Sequence, residues 1–194
     1  MCNLYTQSKS VDEVARLFRD LEMPLSFPDG IPNLQPREVA ITDPGAIVRT
    51  APSGGFDLAL RRWSWPGAHG KPVFNFRSDG RQFGGSSRCL IIADGFFEFT
   101  KPDDPQAKRK HKWRFALRDC EQFAIAGLWR TDPQVGEAFT LLTTEPGADI
   151  QPYHNRQIVI LHPNDFARWL DPAVAAAELC KPLPAGSLAV EQVG

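Results

Sequence analysis

The chain has 194 residues, of which 42% are hydrophobic and 23% charged, with a formal net charge of −1. This is the balance of an ordinary globular protein able to bury a sizeable core; it excludes a low-complexity or disordered chain, and no overall basic charge advertises a nucleic-acid partner. No apolar run approaches the length of a membrane span and no apolar leader opens the chain, so a single cytoplasmic domain over residues 1–194 is expected.

In chain order, the first clear element is the helix of SVDEVARLFRDLEMP. Ser10 and Glu13 have capping-box spacing, Val11, Val14, Leu17, Phe18 and Leu21 form one apolar stripe, and Pro24 stops the pattern. The stretch 25–55 is rich in Pro and Gly, with short pieces, EVAI and AIVR, that read as brief strands. Strand patterns then dominate. FDLALRRW alternates Phe56, Leu58 and Leu60 with Asp57, Ala59 and Arg61, and KWRFAL alternates Trp113, Phe115 and Leu117 with Arg114 and Ala116. CLIIADGFFEF, QFAIAGLW, FTLLTT and QIVIL are nearly continuous apolar runs, which suit strands buried on both faces. TKPDDPQAKRK has the Pro and Asp content of a loop, so FFEF and KWRFAL should form a hairpin. Two helices are predicted near the end: NDFARWL, with Asn164 as its cap, and DPAVAAAELC, with Asp171 as cap and Pro172 at the first helical position. The βαβ alternation of a doubly wound fold is missing. The expected class is therefore α+β, a central, mostly antiparallel, barrel-like sheet with a few peripheral helices.

Cys2, Cys89, Cys120 and Cys180 show no metal-ligand spacing, and neither structural zinc nor a disulfide framework nor any cofactor is expected. Cys2 stands apart. Loss of Met1 would leave it N-terminal, with an α-amine and a thiol on adjacent carbons that titrate near ~7.7 and ~8.5. Such an aminothiol can condense with an aldehyde to an imine, which the thiol then closes into a thiazolidine ring. The plainer reading is a small buried residue.

Glu98 sits in DGFFEFT among Phe96, Phe97 and Phe99, and an apolar setting raises a carboxyl toward the range of general acid–base catalysis; alternation equally permits it to face solvent. His154, in QPYHNRQIVIL just ahead of an apolar strand, is the histidine best placed to shuttle protons, the other reading being a structural imidazole. Asn75 and Arg77 share a face if FNFRSDG is extended. An amide can orient an amine or a sugar hydroxyl, and a guanidinium can grip phosphate. KRKHKWR and RRWSW interleave cations with tryptophans, a pattern suited to single-stranded nucleic acid and equally to a solvated loop beside a core tryptophan.

Together, MCNLY, RRWSWPG, PVFNFRSD, RCLIIADGFFEFTK, FTLLTT, YHNRQIVIL and PLPAGSLAV resemble, over nearly the whole chain, the SOS-response-associated peptidase (SRAP) family, whose members crosslink to abasic sites in single-stranded DNA. By that resemblance, Cys2 would form a thiazolidine with the abasic aldehyde after loss of Met1. Asn75 would hold the aminothiol and the opened sugar, Glu98 would act in ring opening and imine chemistry, and His154 would handle protons in imine formation and in reversal. Arg77 would bind a neighbouring phosphate, with Arg62 and Arg156 as further DNA contacts, and Trp63 would stack on a base. The implied protein is a monomer that shields lesions in the DNA damage response, nucleoid-associated when bound to DNA. It needs no metal or cofactor, and it carries autopeptidase and 3′ lyase chemistry. Two departures bear on the shape of the DNA groove: Ile158 stands where the family has proline, and Phe76 where it has alanine. Two other functions stay open on the residues alone: a thiol peptidase built from Cys2, His154 and Glu98, and a noncatalytic single-stranded-DNA-binding module.

Overall fold

The computed structural model describes residues 2–83, 87–102, 104, 106 and 109–194. β1 (Leu4–Gln7) leads into α1 (Val11–Asp20), where Ser10 and Glu13 close the capping box and Val14 and Phe18 are buried. There follow β2 (Leu25–Ser26), β3 (Arg37–Ala40), β4 (Pro44–Thr50) and β5 (Phe56–Trp63). The short β6 (Trp65–Pro66), β7 (Pro72–Val73) and β8 (Asn75–Arg77) come next. The apolar runs become β9 (Arg88–Ala93), β10 (Gly95–Thr100), β12 (Phe123–Asp132) and β13 (Gly136–Thr144), with β11 (His111–Leu117) between them. QIVIL divides at Val159 into β14 (Gln157–Ile158) and β15 (Ile160–Leu161); α2 (Phe166–Leu170), α3 (Ala176–Leu179) and β16 (Leu188–Gln192) complete the chain.

In the larger sheet the pairing runs β13–β12–β9–β4–β5, all antiparallel, and β5 pairs again with β13 in parallel, so the path closes on itself. This is the expected barrel-like sheet. The second sheet has the order β16–β11–β10–β1–β3 and is antiparallel throughout. Its β10–β11 hairpin sets Phe96 opposite Phe115 and Glu98 opposite Trp113.

Why the apolar runs are unbroken is visible in where alternate residues go. Ile47, Cys89, Ile91 and Ile125 join a core with Tyr5, Phe96 and Phe115 of the second sheet, whereas Ala46, Val48, Leu90, Ile92 and Ala124 join a second core with Val14 and Phe18 of α1 and Phe166 and Trp169 of α2. Both faces of β4, β9 and β12 are covered, so both are mostly apolar, and a polar residue there, such as Arg49, is buried with ion-pair partners. At roughly 25 cal/mol per Å² of apolar surface removed from water, these two layers are the main stabilising contribution.

Three local expectations are corrected. FDLALRRW does not alternate in exposure: Asp57, Leu58 and Ala59 are all buried, Leu58 in the second core and Asp57 on the other face, held by Arg49 Nε at 2.9 Å. Asn164 does not cap α2, which follows a 3₁₀ turn at Pro163–Asp165 and has Asp165 at its N-cap. Asp171 does not start a long helix either; its Oδ1 accepts from Ala173 N at 2.8 Å, a local turn that competes with helix initiation, and only Ala176–Leu179 is helical.

β1 is an interior strand of the second sheet, flanked by β10 and β3. Tyr5 on it is fully buried, and its hydroxyl occupies the space that a side chain on Gly45 of β4 would need, beside the ring of Phe139. Gly45→Ala is therefore expected to lower the free energy of unfolding by about 1–3 kcal/mol, as overpacking does. Tyr5→Phe in the same chain should restore part of that loss; a urea-denaturation double-mutant cycle with strictly additive effects would count against the contact.

Candidate active site

The antiparallel register pairs Tyr5 with Phe96, and residues 2 and 3, running on ahead of β1, reach the cleft that Asn3 and Glu98 both line. Glu98 shares its sheet face with Phe96, and only 2% of it is exposed. On the neighbouring sheet β13 holds two further pieces. β8 lies parallel to it with Asn75 opposite Leu141, and β14 lies antiparallel to it with Ile158 opposite Thr143. The turn before β14 carries His154, whose backbone N–H donates to Ile150 O at 3.0 Å. Tyr153 braces that turn by packing on Trp113 and Phe115, with ring centroids 4.8 and 5.2 Å apart.

Cys2 is buried, 1% exposed, and its Sγ donates to Leu4 O at 3.3 Å. Asn75 Nδ2 donates to Cys2 O at 2.8 Å, while Asn75 Oδ1 is buried with no hydrogen-bond partner among the described residues. Beside Cys2 opens a cleft of about 320 Å³ lined by Asn3, Glu98, Phe99, Lys110 and His154. Cys2, Asn75, Glu98 and His154 thus come near one another from the segment ahead of β1, from β8, from β10 and from the turn before β14. Met1 and Lys108 lie outside the described residues.

Burial sets the ionisation of this group. It pushes the Cys2 thiol up to about 12, helped by the negative charge of Glu98, and it raises the Glu98 carboxyl from 4.5 to about 7 against the opposing charge of the amino terminus. His154 is lowered, first by burial and then by that same amino-terminal charge. Its Nδ1 accepts the backbone N–H of Arg156 at 3.0 Å. The site is therefore a poorly ionising thiol beside a carboxyl that exchanges its proton near neutrality.

The cations divide. Arg77 is exposed at the end of β8. Arg62 is half-buried and reaches Thr42 O at 3.4 Å. Arg156 is committed to Asp79 at 2.6 Å and to Thr143 O at 2.9 Å, and its guanidinium holds the Asp79 carboxyl below the usual range. Trp63 is corrected: it is 0% exposed, donates through Nε1 to Phe74 O at 2.9 Å and packs on Tyr5, so it has no open face for a base. RRWSW lies where β5 closes onto β13, and closure buries the ring. Asn3, Phe99 and Lys110 line the cleft without having been singled out from sequence. Lys110 was visible only as one of a run of cations, and nothing in that run marks which member reaches the cleft. Among the described residues no group of His, Cys, Asp and Glu is arranged to hold a metal ion, and all four cysteines are free thiols.

The family model described as SOS response associated peptidase (SRAP) matches residues 1–194. The abasic site processing protein YoqW of Bacillus subtilis is 36% identical over 92 residues, 45% of this chain and 39% of that protein. The abasic site processing protein YobE of the same organism is 35% identical over 92 residues, 45% of this chain and 41% of its own. The matches thus cover about two-fifths of the length of these relatives. Among solved structures, a Bordetella bronchiseptica protein at 22% identity superposes with a TM-score of 0.74 over 100% of both chains. One from Bacteroides thetaiotaomicron at 17% identity gives 0.73 over 100% of this chain and 92% of its own, so both share the fold.

The raised Glu98 carboxyl has a stability consequence with a definite sign. Below about pH 4.5 folded and unfolded chains both hold the proton; between about 4.5 and about 7 only the folded chain does, so stability falls as pH rises through that window. Glu98→Gln is expected to unfold like wild type near pH 4 and to be more stable by roughly 2–3 kcal/mol near pH 8, measured by urea denaturation. A gain independent of pH would mean that Glu98 is not held neutral by the fold.

Proposed function

Because the chain belongs to the SOS response associated peptidase family, we propose that it processes abasic sites in single-stranded DNA, acting as a monomer that links its own Cys2 to the lesion. The observation that carries this reading is that Glu98 and His154 line one cleft together with Asn3, while the adjoining Cys2 lies within the electrostatic reach of Glu98 and is held by Asn75. The names of the Bacillus relatives supply the substrate class.

In the proposed reaction Met1 is removed, and the α-amine of Cys2 attacks the aldehyde carbon of the opened sugar to give a carbinolamine. Expulsion of water needs a proton on the departing hydroxyl. Glu98, whose carboxyl burial raises, delivers it and is left as carboxylate beside the iminium. The thiol then adds to the iminium carbon: a C–S bond forms, the C=N electron pair returns to nitrogen, and the S–H proton passes to Glu98. This order suits a thiol raised to about 12, which needs a base at hand when it reacts. Asn75, bonded to Cys2 O, fixes the aminothiol, and its Oδ1, which has no hydrogen-bond partner among the described residues, is an acceptor for the amine or a sugar hydroxyl. Arg77 takes a flanking phosphate, with Arg62 beside the path; Arg156 joins them only by giving up Asp79. At the iminium stage the same chemistry permits strand cleavage on the 3′ side, and loss of Met1 is the peptidase step.

A peptidase acting on other proteins is the weaker reading, since the Cys2 thiol is buried and disfavours the thiolate. A purely noncovalent DNA-binding module leaves the buried Glu98 unexplained.

Intact mass spectrometry after incubation with an oligonucleotide carrying one abasic site is expected to show protein without Met1 plus a denaturation-resistant adduct. Cys2→Ala should abolish the adduct and keep noncovalent binding, Asn75→Ala should slow its formation at least about ten-fold, and Cys89→Ala should change little. An adduct formed by Cys2→Ala would move the linkage to another amine, and steady turnover of an unrelated peptide would favour the peptidase.

A further inference from the structure

The second sheet has two faces, and the site uses only one of them. Phe115 of β11 lies in the core with Phe96, and Glu98 shares that face, so Arg114 projects from the opposite one. There its neighbours in register are Phe97 of β10 and Glu191 of β16. The guanidinium leans toward β10, where Gly95 leaves room for it: a side chain on Gly95 would begin 3.1 Å from Arg114 Nη2, 3.2 Å from Nε and 2.7 Å from Thr6 Oγ1. Glu191 is left behind. Among the described residues the half-buried guanidinium has neither an ion pair nor a hydrogen bond. Beside it opens a cleft of about 390 Å³, with Ser8, Asp94, Ala116 and Cys120 in its walls. Asp94 is only 8% exposed and accepts from Thr6 Oγ1 at 2.6 Å and from the backbone N–H of Ser8, both neutral donors; among the described residues it too has no ion pair. Lys9, in the same cleft, is taken by Glu121 at 2.7 Å.

One cation and one carboxylate thus face a single cleft without pairing with each other. A ligand that carries both signs can bridge them. We propose that this cleft binds a small α-amino acid, its carboxylate on the fork of Arg114, its ammonium on Asp94 and an aliphatic side chain against Ala116 and Leu117. A planar carboxylate matches the parallel N–H groups of a guanidinium, which a lysine in that place could not offer. A phosphate dianion would bring like charge up to Asp94 and Glu121, whereas a zwitterion leaves the charge of the cleft balanced. The volume lies at the lower end of the range for small-molecule sites, which suits a ligand of this size. Nothing in this recognition depends on abasic-site chemistry, since Arg114 and Glu98 lie on opposite faces of the sheet.

Heteronuclear NMR of the intact protein, titrated with L-leucine, is expected to show saturable shifts of the Gly95 amide and of the Arg114 Nε–H, with half-saturation at about 1 mM or below. L-Leucinol, which lacks the carboxylate, isocaproate, which lacks the ammonium, and inorganic phosphate should each bind at least about ten-fold more weakly. Arg114→Ala is expected to abolish the leucine shifts. Arg114→Lys, which keeps the stem and the charge without the fork, should weaken binding at least about ten-fold, and it tests the contact even where the alanine variant fails to fold. Gly95→Ala, which displaces the guanidinium and changes no charge, should weaken leucine binding to a similar degree. No saturable shift in the wild type, leucine binding retained by either Arg114 variant, or phosphate or isocaproate binding as tightly as leucine would overturn the proposal.

Discussion

The structure depends on one constraint: the first strand of the chain is an interior strand. β1 is hydrogen-bonded to β10 on one side and β3 on the other, so its residues cannot leave without opening the sheet. A terminal segment ordinarily frays because little holds it. Here Tyr5 is locked into the core against Trp63 and Gly45, and the register with Phe96 carries the residues before it to Glu98. The position of Cys2 is thus a consequence of sheet pairing and not of a loop conformation.

The same burial decides the chemistry. Taking Cys2 and Glu98 out of water disfavours the charged form of each, and the negative charge of Glu98 adds to the effect on the thiol. A cysteine activated by a neighbouring cation would be a ready nucleophile toward many electrophiles. Burial instead keeps the Cys2 thiol protonated, beside the Glu98 carboxyl. In the reaction we propose, the thiol gives up its proton only once the iminium has formed beside it.

β13 is the strand that joins the two halves of the site. Its Ala138 and Phe139 pair with β5 and close the barrel; further along, its Leu141 to Thr143 carry β8 and hence Asn75 and Arg77, and Thr143 and Thr144 carry β14 behind His154. Where the barrel closes, buried Arg49 binds both Asp57 and Glu137 at 2.9 Å and stacks over Trp129. Removing one member of such a buried set leaves a charge without compensation, so the closure is specified as well as packed. Fold stability and site geometry meet in this strand.

Much of this was legible in the amino-acid order, because it is local. The capping box and apolar stripe of α1 depend on residues three and four apart, and the unbroken runs of β9, β10, β12 and β13 report burial on both faces wherever their neighbours lie. The residue types of the candidate site were legible too, since an aminothiol, a carboxyl among phenylalanines and a histidine each have a chemistry that travels with the side chain. What sequence left open was decided by contacts between distant segments. Whether Glu98 faces core or solvent depends on the β10–β11–β1 pairing, and Trp63 changes from an expected stacking surface to a core residue because β5 meets β13. Lys110 reaches the cleft, and Arg156 is taken up by Asp79, for reasons no spacing encodes. Local periodicity follows from backbone geometry and is written along the chain; which side chains share a cleft follows from long-range pairing, and only the tertiary structure decides it.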